Sequence, residues 1–174
     1  MTKNGAIRSI FLCFILLTAC NTVTPEKYFD VAVLNVNLIN NFAGNGLFRE
    51  LESPSVKLSE KTGDAEPMQR SEIIQMKIST IETNFEKVKN LKETPDTKEM
   101  LAASLALYNY VIPVYKKEYV QLAELFDRNA GNEEIQSVSN SIHDKYYSHF
   151  SELYDKLVSA GKIYAEKNAI KVNW

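Results

Sequence analysis

Leu101, Leu105, Tyr108, Ile112, Tyr115, Tyr119, Leu122 and Phe126 follow one another at intervals of 4, 3, 4, 3, 4, 3 and 4. A stripe kept up over that length fits one local structure: an α-helix whose apolar edge seals against near-parallel helices. Thr94-Pro95 stops any earlier helix from running into it, and Asp96 or Thr97 offers an N-cap oxygen. Glu99 is placed to complete a capping box with Asp96. Residues 129–132, around Gly131, end the segment. Pro113 lies inside it and cannot donate to the Asn109 carbonyl, so the helix must kink or unwind there.

Two further segments repeat the pattern. Ile74, Ile78, Ile81, Phe85 and Val88 mark a helix with Ser71 as its N-cap. Tyr146, Phe150, Leu153, Leu157, Ala160 and Tyr164, led in by Val138 and Ile142, mark another over 133–167. A fourth helix is expected over 26–51, where Pro25 and Glu26 suit a start and Tyr28, Val31, Leu38 and Phe42 share one face. Valines at 33 and 36 favour a strand there, but a lone strand would have no partner elsewhere in the chain. Gly44-Asn45-Gly46 interrupts or bends this helix. Residues 52–67, with Pro54, Gly63 and Pro67 among polar residues, read as a long loop. The other links are short, and short links make sequential helices antiparallel neighbours. The expectation is an all-α domain over 26–174, an up-down-up-down antiparallel four-helix bundle.

The first twenty residues are of another kind. Lys3 and Arg8 precede an apolar run at 10–17, and small residues and Cys20 follow at once. That is the pattern of a cleaved secretory signal, and the run is much shorter than the ~20 residues of a membrane span. Leu17-Thr18-Ala19-Cys20 resembles the lipobox of bacterial lipoproteins. The resemblance implies a signal peptide at 1–19, lipid on Cys20, a short tether at 20–25 and stable anchoring to a membrane through that lipid. Asn21, where an Asp would resemble an inner-membrane retention signal, implies the outer membrane in a diderm host. Length, leader and helical pattern also resemble small helical surface lipoproteins of unknown function from Bacteroidetes and Leptospira.

With Cys13 in the leader and Cys20 lipidated, the mature chain keeps no thiol. Disulfides, thiolate metal sites and cysteine nucleophiles are thereby excluded. Without Lys3 and Arg8 the balance is 18 basic to 22 acidic residues, which excludes a basic nucleic-acid surface.

Candidate chemistry is sparse. His143 and His149, six apart, lie on different faces of a helix and cannot share a metal as an i, i+4 pair would. Asn140 and Tyr146 stand where a di-iron bundle needs glutamates, three residues before each histidine. His149-x-x-Glu152 resembles part of the Gly-x-His-x-x-Glu motif of the imelysin-like family, with Tyr147 in the glycine's place. Met68, Met76 and Met100 are conceivable partners for a histidine on a haem. No serine-hydrolase, P-loop or zincin motif occurs.

Eight of nine tyrosines lie in the last two helices. Tyr108, Tyr115, Tyr119 and Tyr146 either pack at the boundary, hydroxyls toward water, or line a groove for a ligand. Asn35 is placed to face Pro113 from the first helix, as a register device or as part of a polar pocket. The expected function is a lipid-anchored, non-enzymatic binding or interaction module of the cell envelope. It needs no cofactor or metal, and its partner is an envelope protein or glycan. The alternative is a carrier of a small ligand, metal or haem in a tyrosine-rich pocket.

Overall fold

The computed structural model describes residues 23–53 and 55–173, so Cys20 and the leader lie outside the described residues. The fold is mostly helical: α1 (Pro25–Ala32), a 3-10 turn (Leu34–Ile39), α2 (Asn45–Glu52), α3 (Arg70–Lys89), α4 (Lys98–Val114), a π turn (Tyr115–Tyr119), α5 (Val120–Asp127) and α6 (Asn132–Lys167). A small hairpin of β1 (Val56–Leu58) and β2 (Ala65–Pro67) lies between α2 and α3. Among the described residues no helix is long and apolar enough to cross a membrane.

The heptad segment is the centre of the molecule. α4 packs against both α3 and α6, and α5 does the same beyond the π turn. A helix with neighbours on two sides buries more than one seam. Met100, Ser104, Leu107, Val111 and Val114 are buried beside Leu101, Tyr108 and Tyr115, while the predicted seam residues Leu105, Ile112 and Phe126 are only partly covered. Past Pro113 the helix widens, and the Val120 amide reaches the Tyr115 carbonyl five residues back. That insertion brings Tyr115 and Tyr119 to the core together. π turns of this kind concentrate at functional sites.

α6 runs unbroken for 36 residues, within a residue of its predicted bounds. The first segment differs from the expected single helix. α1 starts at Pro25 as read, capped by Thr24, whose hydroxyl accepts from the Lys27 amide at 3.3 Å. The α-helix stops after eight residues, tightens into the 3-10 turn, and reverses at Ala43, whose φ is +53°. Val33, Val36, Ile39, Phe42 and Ala43 are all buried, more faces than one α-helical stripe can bury.

The 52–67 loop is also corrected. Its polar composition conceals two alternating triplets that pair in the register Val56↔Pro67, Lys57↔Glu66 and Leu58↔Ala65. Gly63, at φ +76°, supplies the left-handed residue of the connecting turn.

Helix ends are tied by long-range contacts. The Asp127 carboxylate accepts from the Arg70 and Ser71 amides at 2.6 and 2.9 Å, capping α3 from the end of α5. Ser71, the expected N-cap, therefore sits inside the first turn. Gln69 is the cap, in a capping box with Glu72. Asp96, another expected cap, instead pairs with Lys167 at 2.5 Å. Thr97 caps α4 by position, its hydroxyl accepting from the Thr94 amide at 2.9 Å. Asn129, at φ +53°, closes α5, with the Ala130 amide reaching Leu125 O at 2.9 Å, and Gly131 becomes the N-cap of α6.

Candidate functional site

The tyrosines do gather, but around a residue from the first segment. Phe42, fully buried, has the rings of Tyr110, Tyr115, Tyr119 and Phe150 at 6.1, 5.7, 5.9 and 4.9 Å between centroids. Tyr115 stacks on Tyr119 at 4.7 Å. Tyr146 joins at the rim: its carbonyl accepts from the Tyr110 hydroxyl at 3.2 Å, and its own hydroxyl donates to Glu118 at 3.0 Å. Phe42 fills the space that a tyrosine-lined groove would need.

Two expected members stand apart. Tyr108 is fully buried on the α3 side, its ring 6.2 Å from Phe85. Burial pushes its hydroxyl far above the usual tyrosine range, and the nearby Asn84 amide offsets only part of that. Among the described residues no group meets the hydroxyl in hydrogen-bonding geometry, and the same holds for the buried Ser104 hydroxyl one turn earlier. Asn35 is half-buried on the 3-10 turn. Pro113 is exposed, beside an open groove lined by Glu82, Phe85, Glu86, Asn109, Ile112 and Lys116, without Asn35 or any tyrosine. Asn109 itself is exposed, so Pro113 and the residue four before it both lie on the surface, away from Asn35.

His149 and Glu152 do meet, at 3.2 Å, but as an exposed pair edge-on to Tyr110. Among the described residues no three His, Cys, Asp or Glu side chains cluster as a metal site. Met100 is buried in the core, and the groove lined by Met68 and Met76 has no histidine in its wall.

Two sites emerge that the sequence reading missed. The first is a knot at Ala43. Its amide donates to the Tyr119 hydroxyl at 2.7 Å, and its carbonyl lies 2.8 Å from His143 Nδ1. A carbonyl only accepts, so Nδ1 of His143 carries the proton. Burial raises the Tyr119 hydroxyl to about 12, against the opposing effect of the Ala43 amide. It therefore stays protonated. A left-handed alanine held from both sides, beside a π turn, is the kind of strained geometry that collects at functional sites. It borders a cavity of about 140 Å³. The available sequence signals were Gly44-Asn45-Gly46 and Pro113, neither of which names a ligand.

The second is the hairpin. Side chains alternate along a strand, and residues directly paired share a face. Lys57 turns toward α3 and gives Glu72 two hydrogen bonds of 2.6 and 2.8 Å. These hold the Glu72 carboxyl below its usual range. Val56, Leu58, Ala65 and Pro67 form the opposite face, and all four are exposed, Val56 by 68% and Leu58 by 73%. An ordinary hairpin does the reverse and packs its apolar face on the core. At its base, Leu38, Met68, Ile73 and Met76 line a groove of about 230 Å³. No family profile, no curated protein and no solved structure matches this chain.

Proposed function

We propose that the chain is a lipid-anchored, non-enzymatic interaction module of the cell envelope that presents its hairpin to a partner. The observation that carries this reading is the inverted hairpin, whose ionic face is tied to α3 while its apolar face meets solvent. Solvent-facing aliphatic groups beside an adaptable methionine groove are features of a protein-binding surface.

An up-down-up-down course supports the geometry. The first segment starts where the Tyr28 hydroxyl meets Lys92 O at 2.9 Å and ends where Arg70 Nε meets Leu51 O at 3.1 Å. α3 returns, α4–α5 climbs back to Asp127, and α6 descends to Lys167 beside Asp96. In this reading the first rung of the four-helix bundle is a broken one. The described residues begin at the Tyr28 end, and the hairpin lies at the far end. The anchor would then hold the molecule to the membrane with the hairpin pointing away.

A photo-crosslinking amino acid at Leu58, compared with one at the exposed Ile163 of α6, tests this in intact cells. A defined adduct at Leu58 alone is expected. With the crosslinker kept at position 58, the pair Val56→Asp and Ala65→Asp on the same exposed face should abolish it while stability changes by less than about 0.5 kcal/mol. Equal labelling at both sites, or an adduct that survives the aspartates, would sink the reading.

A further inference from the structure

The two outer edges of the hairpin differ. In an antiparallel pair, residues alternate between those that exchange hydrogen bonds with the partner strand and those whose N–H and C=O point away from it. The Met68 amide donates to Ser55 O, and the Ser59 amide to Asp64 O, both at 2.8 Å. These pairs flank the ladder in register, so Lys57 and Glu66 between them also bond inward. Val56 and Leu58 therefore turn their backbone groups away from β2, and Ala65 and Pro67 turn theirs away from β1. Proline has no N–H, so the outer edge of β2 is interrupted at Pro67. The outer edge of β1 keeps every donor and acceptor. Among the described residues no hydrogen bond reaches the backbone of Val56 or Leu58, and no element but β2 runs alongside β1. An open edge of this kind is a template for another strand.

Charge narrows the kind of strand. Lys57 is occupied by Glu72 on the α3 side. Those hydrogen bonds, and then the charges of Glu72, Glu66 and Glu60, hold its ammonium above the usual lysine range. Glu52 and Glu60 stand exposed on either side of β1 in the chain, and Asp64 stands exposed in the turn. None of these three makes a salt bridge among the described residues. A second copy would set the same acids against each other, which disfavours self-pairing.

Resting on the reading of the hairpin as the element that meets a partner, we infer that β1 accepts an extended segment of a partner protein as a third strand, with apolar residues opposite Val56 and Leu58, a small uncharged residue opposite Lys57 and basic residues at its ends. Directly paired residues share a face. The apolar residues of the segment thus widen the exposed strip of Val56, Leu58, Ala65 and Pro67, and the uncharged one avoids a like charge beside Lys57. The basic ends come toward Glu52 and Glu60. Main-chain hydrogen bonds to the edge supply affinity, and the alternating side chains supply specificity.

The probe is acetyl-Lys-Val-Thr-Val-Lys-amide, titrated into the isotopically labelled full chain. Saturable shifts of the Val56 and Leu58 amides are expected, and near saturation their hydrogen exchange should slow by at least about tenfold. The Lys57 amide, already bonded inward, should change little. In this register the valine amides of the peptide face β1 and the threonine amide faces away. N-methylation of both valines should therefore abolish binding, and N-methylation of the threonine should leave it intact. Replacing both peptide lysines by glutamate should weaken binding at least about tenfold. Binding that survives valine methylation, equal affinity for the glutamate peptide, or shifts that never saturate would overturn the inference. Protection of the same amides that grows with protein concentration alone would assign the edge to a second copy and overturn it too. If an adduct forms at position 58 in cells but the peptide leaves both amides unprotected, strand addition falls and the hairpin reading stands. No adduct at all overturns both.

Discussion

The first segment and α6 carry the same helical periodicity in sequence, yet one is broken and the other runs for 36 residues. α6 buries one stripe, Ile135, Ile142, Phe150, Leu157 and Tyr164, and leaves the other faces to charge and water. The first segment is covered on several sides and touches α3, α4 and α6. Its backbone turns repeatedly so that each apolar residue finds a neighbour. A helix is kept where one face suffices and is abandoned where the core asks for more.

Removing Phe42 should break this contrast most sharply. Phe42→Ala deletes the ring on which four others rest and should cost about 3–5 kcal/mol, read as a lowered denaturation midpoint. A cost below about 1 kcal/mol would mean that the first segment is a surface strap and not part of the core.

Asp127→Asn tests a tie between elements. It weakens the cap on α3 and should cost about 1 kcal/mol at neutral pH. Burial alone would raise the Asp127 carboxyl, but the hydrogen bonds from Ser71 and Arg70 outweigh it and hold the carboxyl below its usual value. A depressed carboxyl stabilises the fold above its unfolded pKa, and the benefit disappears as pH falls through the folded pKa. The gap between wild type and variant should therefore close in acid. Urea midpoints from pH 7 down to pH 2 will show whether it does.

The smallest effect sharpens the α6 side. α6 ends in a left-handed Ala169, at φ +55°, with the Ile170 amide reaching Ala165 O at 2.9 Å. Glycine is the residue that this position favours. Ala169→Gly should stabilise by roughly 0.5–1 kcal/mol and raise Tm by a few degrees. No gain would mean that the end of α6 frays in solution.

The helices of residues 70–167 were legible because their signals are local. Apolar residues every three or four positions mark a buried face wherever the neighbour happens to be. Pro95 and Asn129 act on their own backbone and so were readable as stops. The hairpin was missed because its outward face is the apolar one, and alternation over three residues is too short to stand out among Pro, Gly and charged neighbours. Of the tyrosine set, Tyr115, Tyr119 and Tyr146 converge and Tyr108 does not. The seam spacing placed all four on one helix edge or another, but not against which neighbour each would lie.

Taken alone, the sequence determined the mostly helical class, the lengths of the later helices and the absence of any thiol from residue 21 onward. Those follow from composition and from contacts within one or two turns. Only the tertiary structure decided the route of the first segment, the cap that Asp127 places on α3 and the knot at Ala43. Each depends on groups far apart in the chain: 57 residues from Arg70 to Asp127, 76 from Ala43 to Tyr119 and 100 from Ala43 to His143. No local rule relates such residues. Their meeting is set by how the helices pack, and the chemistry of the cavity is a consequence of that packing.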